Sequence, residues 1–92
     1  MLDLFRGWLD HRKQIRRRWK SDAARLIRLD ERGAYYAAQR LAARSRAAAD
    51  RAEFCHWAKV AAEVARLSPI TEMDLAVVER IAAEELDKNG QG

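Results

Sequence analysis

A single cysteine, Cys55, excludes an intrachain disulfide and any zinc site built on paired thiols, and it suits a reducing compartment. Proline occurs once, at Pro69, and the four glycines never cluster into a phosphate-cradling loop. The three serines, Ser21, Ser45 and Ser68, sit in no Gly-x-Ser-x-Gly elbow. Alternation of β-branched and polar residues is missing, which sets aside strand-rich folds. The longest stretch without a charge, Gly33 to Gln39, is seven residues. A membrane-spanning helix needs about 20 apolar residues, so none is expected. Nor is a secretory leader expected, because Asp3, Arg6 and Asp10 interrupt any apolar core near the N-terminus.

What the chain does have is alanine, charge and helical periodicity. Thirteen of the 35 residues from Gly33 to Leu67 are alanine, the strongest helix former and one that gives a helix a thin side. At 92 residues the chain makes one small domain, with 35% charged residues and a globular composition. Charge is segregated. Residues 1–32 carry ten Lys/Arg against five Asp/Glu, residues 33–67 six against three, and residues 68–92 two against six. A basic front and an acidic back suit docking of the two ends, head-to-tail association, or recruitment of a polyanion.

The fold expected is all-α: a small bundle of three to four helices around a central antiparallel helical hairpin. The first helix, residues 1–29, is basic and amphipathic, either continuous or broken near Ser21, with one long helix preferred. On a wheel of about 100° per residue, Leu4, Trp8, Ile15, Trp19 and Leu26 form one stripe. Arg12, Lys13, Arg16, Arg17 and Lys20 form the adjoining face. Gly33 is expected to end this element in the left-handed conformation.

The second helix, about Ala34 to Ala48, has a small-residue edge of Ala34, Ala37, Ala38, Leu41, Ser45 and Ala48, with Arg40, Arg44 and Arg46 outward. Asp50 with Glu53 three residues on forms a capping box for the third helix, Arg51 to Leu67. Its expected stripe is Phe54, Trp57, Ala58, Ala61, Val64 and Ala65, flanked by Val60 and Leu67, and it fills the thin side of the second helix. After Ser68-Pro69, Thr71 with Asp74 is expected to cap an acidic last helix over residues 71–87. Leu75, Val78, Ala82 and Leu86 face inward there, Val77 and Ile81 widen that stripe, and residues 88–92 are a polar tail.

Little in the sequence does covalent chemistry. Cys55 and His56 are adjacent on a helix and point about 100° apart, so they form no nucleophile–base dyad. The expectation is a small buried or half-buried thiol beside a surface imidazole. Glu53-Phe54-Cys55-His56 has the Glu-x-x-His spacing of di-iron bundles, which need two such motifs and two further carboxylates. One copy reads as a helix-surface contact. No enzyme, catalytic residue, metal, cofactor or small-molecule substrate is expected.

The first helix is the surface with options. Six cations, Arg12, Lys13, Arg16, Arg17, Arg18 and Lys20, lie between Trp8 and Trp19 or beside it. The leading expectation is a non-catalytic interaction or regulatory protein. It docks Leu4, Phe5, Trp8, Arg12, Ile15, Arg16, Trp19 and Lys20 on a protein partner or on a second copy. Nucleic-acid binding through the six cations is the first alternative. Attachment to an anionic membrane surface is the second. Against all three stands burial, in which Trp8, Ile15 and Trp19 simply cover the hairpin's core.

From Asp22 to Val64 the residues Asp22-Ala23-Ala24-Arg25-Leu26-Ile27, Ala34-Tyr35-Tyr36-Ala37, the Arg/Ala run through Ala49-Asp50, His56-Trp57, Val60-Ala61 and Val64-Ala65 form a pattern. It resembles a group of small uncharacterised helical proteins of alphaproteobacteria. The resemblance implies a bacterial, cytoplasmic protein and no particular activity.

Overall fold

In the computed structural model the backbone is described from Leu2 to Gln91 and the side chains from Arg6 to Asn89. Four helices follow in order: α1 (Leu2–Leu29), α2 (Ala34–Ala47), α3 (Arg51–Leu67) and α4 (Leu75–Gln91), with no strand among the described residues. The all-α bundle with a central hairpin is what the sequence leads one to expect. α1 is continuous through Ser21, and its 28 residues span about 42 Å, most of the molecule's 48 Å length.

Cross-links fix the directions. Arg18 meets Glu53, Asp22 meets His56, and Glu31 meets Ser68, so α1 and α3 run parallel. α2 runs antiparallel between them. Tyr36 reaches Asp74, Arg44 reaches Glu85, and Asn89 reaches Ala47, so α4 runs parallel to α2. α1, α2 and α3 touch one another, whereas α4 touches α2 alone. The molecule is a three-helix bundle with a fourth helix laid on its outer side.

The core is thin. Ala23 and Leu26 of α1, Ala34 and Ala38 of α2, and Val60, Ala61 and Val64 of α3 form it, with Trp19, Ile27, Tyr35 and Trp57 packed around. Alanine allows this close approach, and the two valines are the largest side chains fully buried.

Several local expectations need correction. The buried line of α3 is His56, Val60 and Val64, at intervals of four, with Ala61 beside it. Ala58 and Leu67 are exposed, and Phe54 and Trp57 only half-buried. The stripe is rotated because α3 faces α1 as well as α2, so its buried face lies between the two. On α2, Ala42 is buried and Ala48 exposed. Arg44 and Arg46 are exposed as expected, whereas Arg40 is half-buried, and both Arg40 and Arg44 pair with Glu85 of α4.

Gly33 is not left-handed: its φ is −94°. A Cβ there would come within 2.6 Å of the Asp30 carboxylate, whose Oδ1 accepts the Gly33 N–H at 3.3 Å. The left-handed residue is Ala49, φ 59°. It ends α2 in a Schellman turn, with Ala49 N–H donating to Arg46 and Asp50 N–H to Ser45. Asp50 then caps α3, its carboxylate accepting the Glu53 N–H at 3.1 Å, as the sequence suggests.

The last helix begins at Leu75 and runs through residue 91, later at both ends than its sequence signals. Asp74 takes the capping place, accepting the Ala76 N–H at 2.9 Å. Thr71 serves a different helix. Its hydroxyl accepts the Tyr35 N–H at 3.2 Å, filling an orphan donor in the first turn of α2. Ser68 accepts the Thr71 N–H and donates to Glu31, so the loop before α4 is laced across the turn before α2.

Candidate docking surface

Every described side chain from Arg6 to Arg18 is exposed. α1 lies against α3 from Arg18 onward, through three links. Arg18 bonds Glu53 at 2.9 Å, Asp22 bonds His56, and the Lys59 ammonium sits over the Trp19 ring at 5.5 Å. The hydrogen bond from Arg18 outweighs the opposing burial and holds the Glu53 carboxyl below the usual carboxylate range. Before Arg18 the helix continues as a leading half, in which His11 and Ile15 still border α3 across a groove.

The stripe that packs the bundle at Trp19 and Leu26 continues along that leading half. Trp8 is 52% exposed and Ile15 42% exposed. Burial therefore accounts for Trp19 and fails for Trp8 and Ile15. Arg12 folds back over the Trp8 ring at 4.8 Å, a cation–π contact that covers one face of the indole. The side chains of Leu4 and Phe5, expected to extend the stripe, lie outside the described residues.

Charge along the leading half is lopsided. Arg6 to Lys20 holds seven Lys/Arg against Asp10 alone. Of the six cations singled out in the sequence, Arg18 is committed to Glu53 and Arg12 to Trp8. Lys13, Arg16, Arg17 and Lys20 are exposed and make no ion pair among the described residues.

Cys55 and His56 exchange the places expected of them. Cys55 is exposed and His56 is buried, its Nε2 donating to Asp22 Oδ2 at 2.7 Å. The imidazole is a core tie between α1 and α3. Residue type alone points an imidazole to the surface, whereas its spacing of four from Val60 and eight from Val64 places it on the buried line. Glu53 and His56 each form their hydrogen bond with α1 and none with each other. The Glu-x-x-His spacing leaves only a through-space charge interaction, a smaller cause of the lowered Glu53 carboxyl than Arg18. A shallow groove beside this tie is lined by His11, Ile15 and Trp19 from α1 and by Cys55, His56 and Lys59 from α3.

The second surface that sequence reasoning missed is on α4. Ile81 and Glu85 are buried against α2, while Leu75 and Leu86 are 69% and 64% exposed and Ala82 is exposed. The expected inner stripe is thus turned to one exposed flank of α4, where Ala82 and Leu86 line a groove with Ala43, Arg46 and Ala47 of α2 and Val78 is half-buried. Glu85 decides the rotation. It is buried between Arg44, whose Nε donates at 3.1 Å, Arg40 and Lys88. Burial pushes its carboxyl up, but the hydrogen bonds and charges of Arg44 and Lys88 win and leave it below its ordinary value. No family model, curated protein or solved structure matches this chain.

Proposed function

We propose that the chain is a non-catalytic adhesion protein that lays the leading half of α1 on a protein partner with an acidic, apolar-lined surface. The observation that carries this is the continuation of the core stripe outside the packed core, with exposed Ile15 at a groove against α3 and exposed Trp8 two turns further out. A helix of this length has little stability without a surface to bury its apolar face. Here that face is bordered by Arg16, with Lys13, Arg17 and Lys20 further round the helix. None of the four makes an ion pair among the described residues, and Lys20 acts on Glu63 only through space. An acidic rim around an apolar strip would match it, with charges steering encounter and the indole anchoring the centre.

A protein fits better than a nucleic acid. Arg12 already occupies one face of Trp8, where a base would stack, and the net charge of the whole chain is only +4. Attachment to an anionic membrane would use the same face and requires Trp8 to sink into the headgroups.

The test is a photoreactive residue in place of Ile15, with one in place of exposed Ala76 as control, irradiated in cells. Adducts to protein from position 15 alone, lost with Arg16→Glu/Arg17→Glu, are the expected result. Nuclease-sensitive adducts, or lipid adducts with sedimentation on anionic vesicles, would replace this proposal by one of the alternatives.

A further inference from the structure

We infer that the acceptor is a second copy of this chain, which receives the leading half of α1 along the exposed stripe of its α4. This rests on the docking proposal above and names the partner. The stripe of Leu75, Val78, Ala82 and Leu86 repeats at intervals of three and four, and two of its members are large side chains more than 60% exposed. Glu79 borders it beside Leu75 and Leu86, Asp87 lies further round the helix and Glu72 just before it; all three are exposed and make no ion pair among the described residues.

The two surfaces are complementary in each respect that can be compared. One is an apolar stripe on the basic front of the chain, the other an apolar stripe on its acidic back. Residues 6–19 of α1 cover about 20 Å and residues 75–86 of α4 about 17 Å, so the helices match in length. Within one molecule they cannot satisfy each other, because α1 packs on α2 and α3 and makes no contact with α4. Contact between copies is therefore front to back. The surfaces used are different on the two partners, so each bound copy still offers one unused front and one unused back. Such an interface builds chains or a closed ring in place of a symmetric dimer. A single helix-on-helix contact is at the small end of protein interfaces, which sets a weak, salt-sensitive association.

Sedimentation velocity over a range of concentrations tests this on the intact chain. The weight-average mass should climb with concentration at low salt and fall back at high salt. Two variants separate the surfaces: Arg16→Glu/Arg17→Glu reverses the front, and Glu79→Arg/Asp87→Arg reverses the back. All four positions are exposed, and circular dichroism should confirm unchanged helix content.

Each variant alone should associate at least about tenfold more weakly than the native chain, because like charges then face each other. An equimolar mixture of the two should recover association, since each supplies the surface the other now complements. The decisive result is loss in both single variants, because a front-to-front pairing would leave the back-reversed variant associating like the native chain, and a back-to-back pairing the front-reversed one. A native chain that stays monomeric throughout, a back-reversed variant that associates like the native chain, or a mixture that stays monomeric overturns the inference. Should the chain stay monomeric while position 15 still crosslinks to a different protein, the second copy is wrong and the docking proposal survives. Should position 15 crosslink to no protein, both fail.

Discussion

At the scale of single residues, the largest departures from the sequence reading are polar side chains in apolar places. His56 and Glu85 are both buried, and each is held by a partner on another helix: Asp22 for the first, Arg44 and Arg40 for the second. Their positions sit in register with the valines and isoleucine around them, so periodicity marked them while residue type argued the other way. Partners on other helices are invisible to a linear reading, and that is why these two were missed.

Ala49 is the opposite case, an ordinary residue in an unusual backbone. An L-residue in the left-handed region carries a cost of about 1–2 kcal/mol that glycine escapes. Ala49→Gly should therefore stabilise the chain by up to about 1 kcal/mol, less the extra freedom glycine gives the unfolded chain. Chemical denaturation measures it. An unchanged or lowered midpoint would mean that the Schellman turn holds Ala49 without strain.

At the scale of helices, ends were legible where the cap is local and illegible where it comes from elsewhere. Asp50 caps its own helix and was read from the spacing to Glu53. Thr71 was read the same way and caps α2 instead, across 36 residues of sequence. The difference lies in Ser68, whose hydroxyl turns the chain back so that Thr71 faces the α1–α2 turn.

Thr71→Val keeps the side chain's shape and removes the hydroxyl, so the Tyr35 N–H loses its acceptor. A loss of about 1 kcal/mol is expected, within the range for N-cap removal. Thr71→Ser should restore most of it. Hydrogen exchange at the Tyr35 amide should quicken in the valine variant, and exchange quickening only within α4 would return Thr71 to the role its sequence suggests.

At the scale of the molecule, the sequence conveys helix number, hairpin and charge segregation, and it fails on which side of α4 faces in. The apolar stripe of α4 was the reasonable choice for burial, yet pairing of Glu85 with the arginines of α2 turns it outward. α4 is thereby fastened by polar links: Tyr36 to Asp74 at one end, Arg44 to Glu85 in the middle, Asn89 to Ala47 at the other. Of its described side chains only Ile81 and Glu85 are buried, so α4 should open before the three-helix core.

The opening of α4 should depend on pH with a definite sign. Glu85 titrates below its ordinary value when folded, so its contribution is complete above the unfolded value, about 4.3, and is lost as pH falls through the lower folded one. Glu53 and Glu63 shift the same way, but each is paired with an exposed arginine and contributes little. Amides of α4 should thus lose protection on acidification before those of α2 and α3, once intrinsic exchange rates are corrected for pH. Glu85→Gln should leave α4 less protected at neutral pH and flatten its acid dependence, with the core unchanged. Protection that falls in step across all four helices, in native chain and variant alike, would make α4 an integral part of the bundle. An outer helix held mainly by charge is also one whose exposed stripe can adjust to an incoming helix without disturbing the core, as front-to-back docking requires.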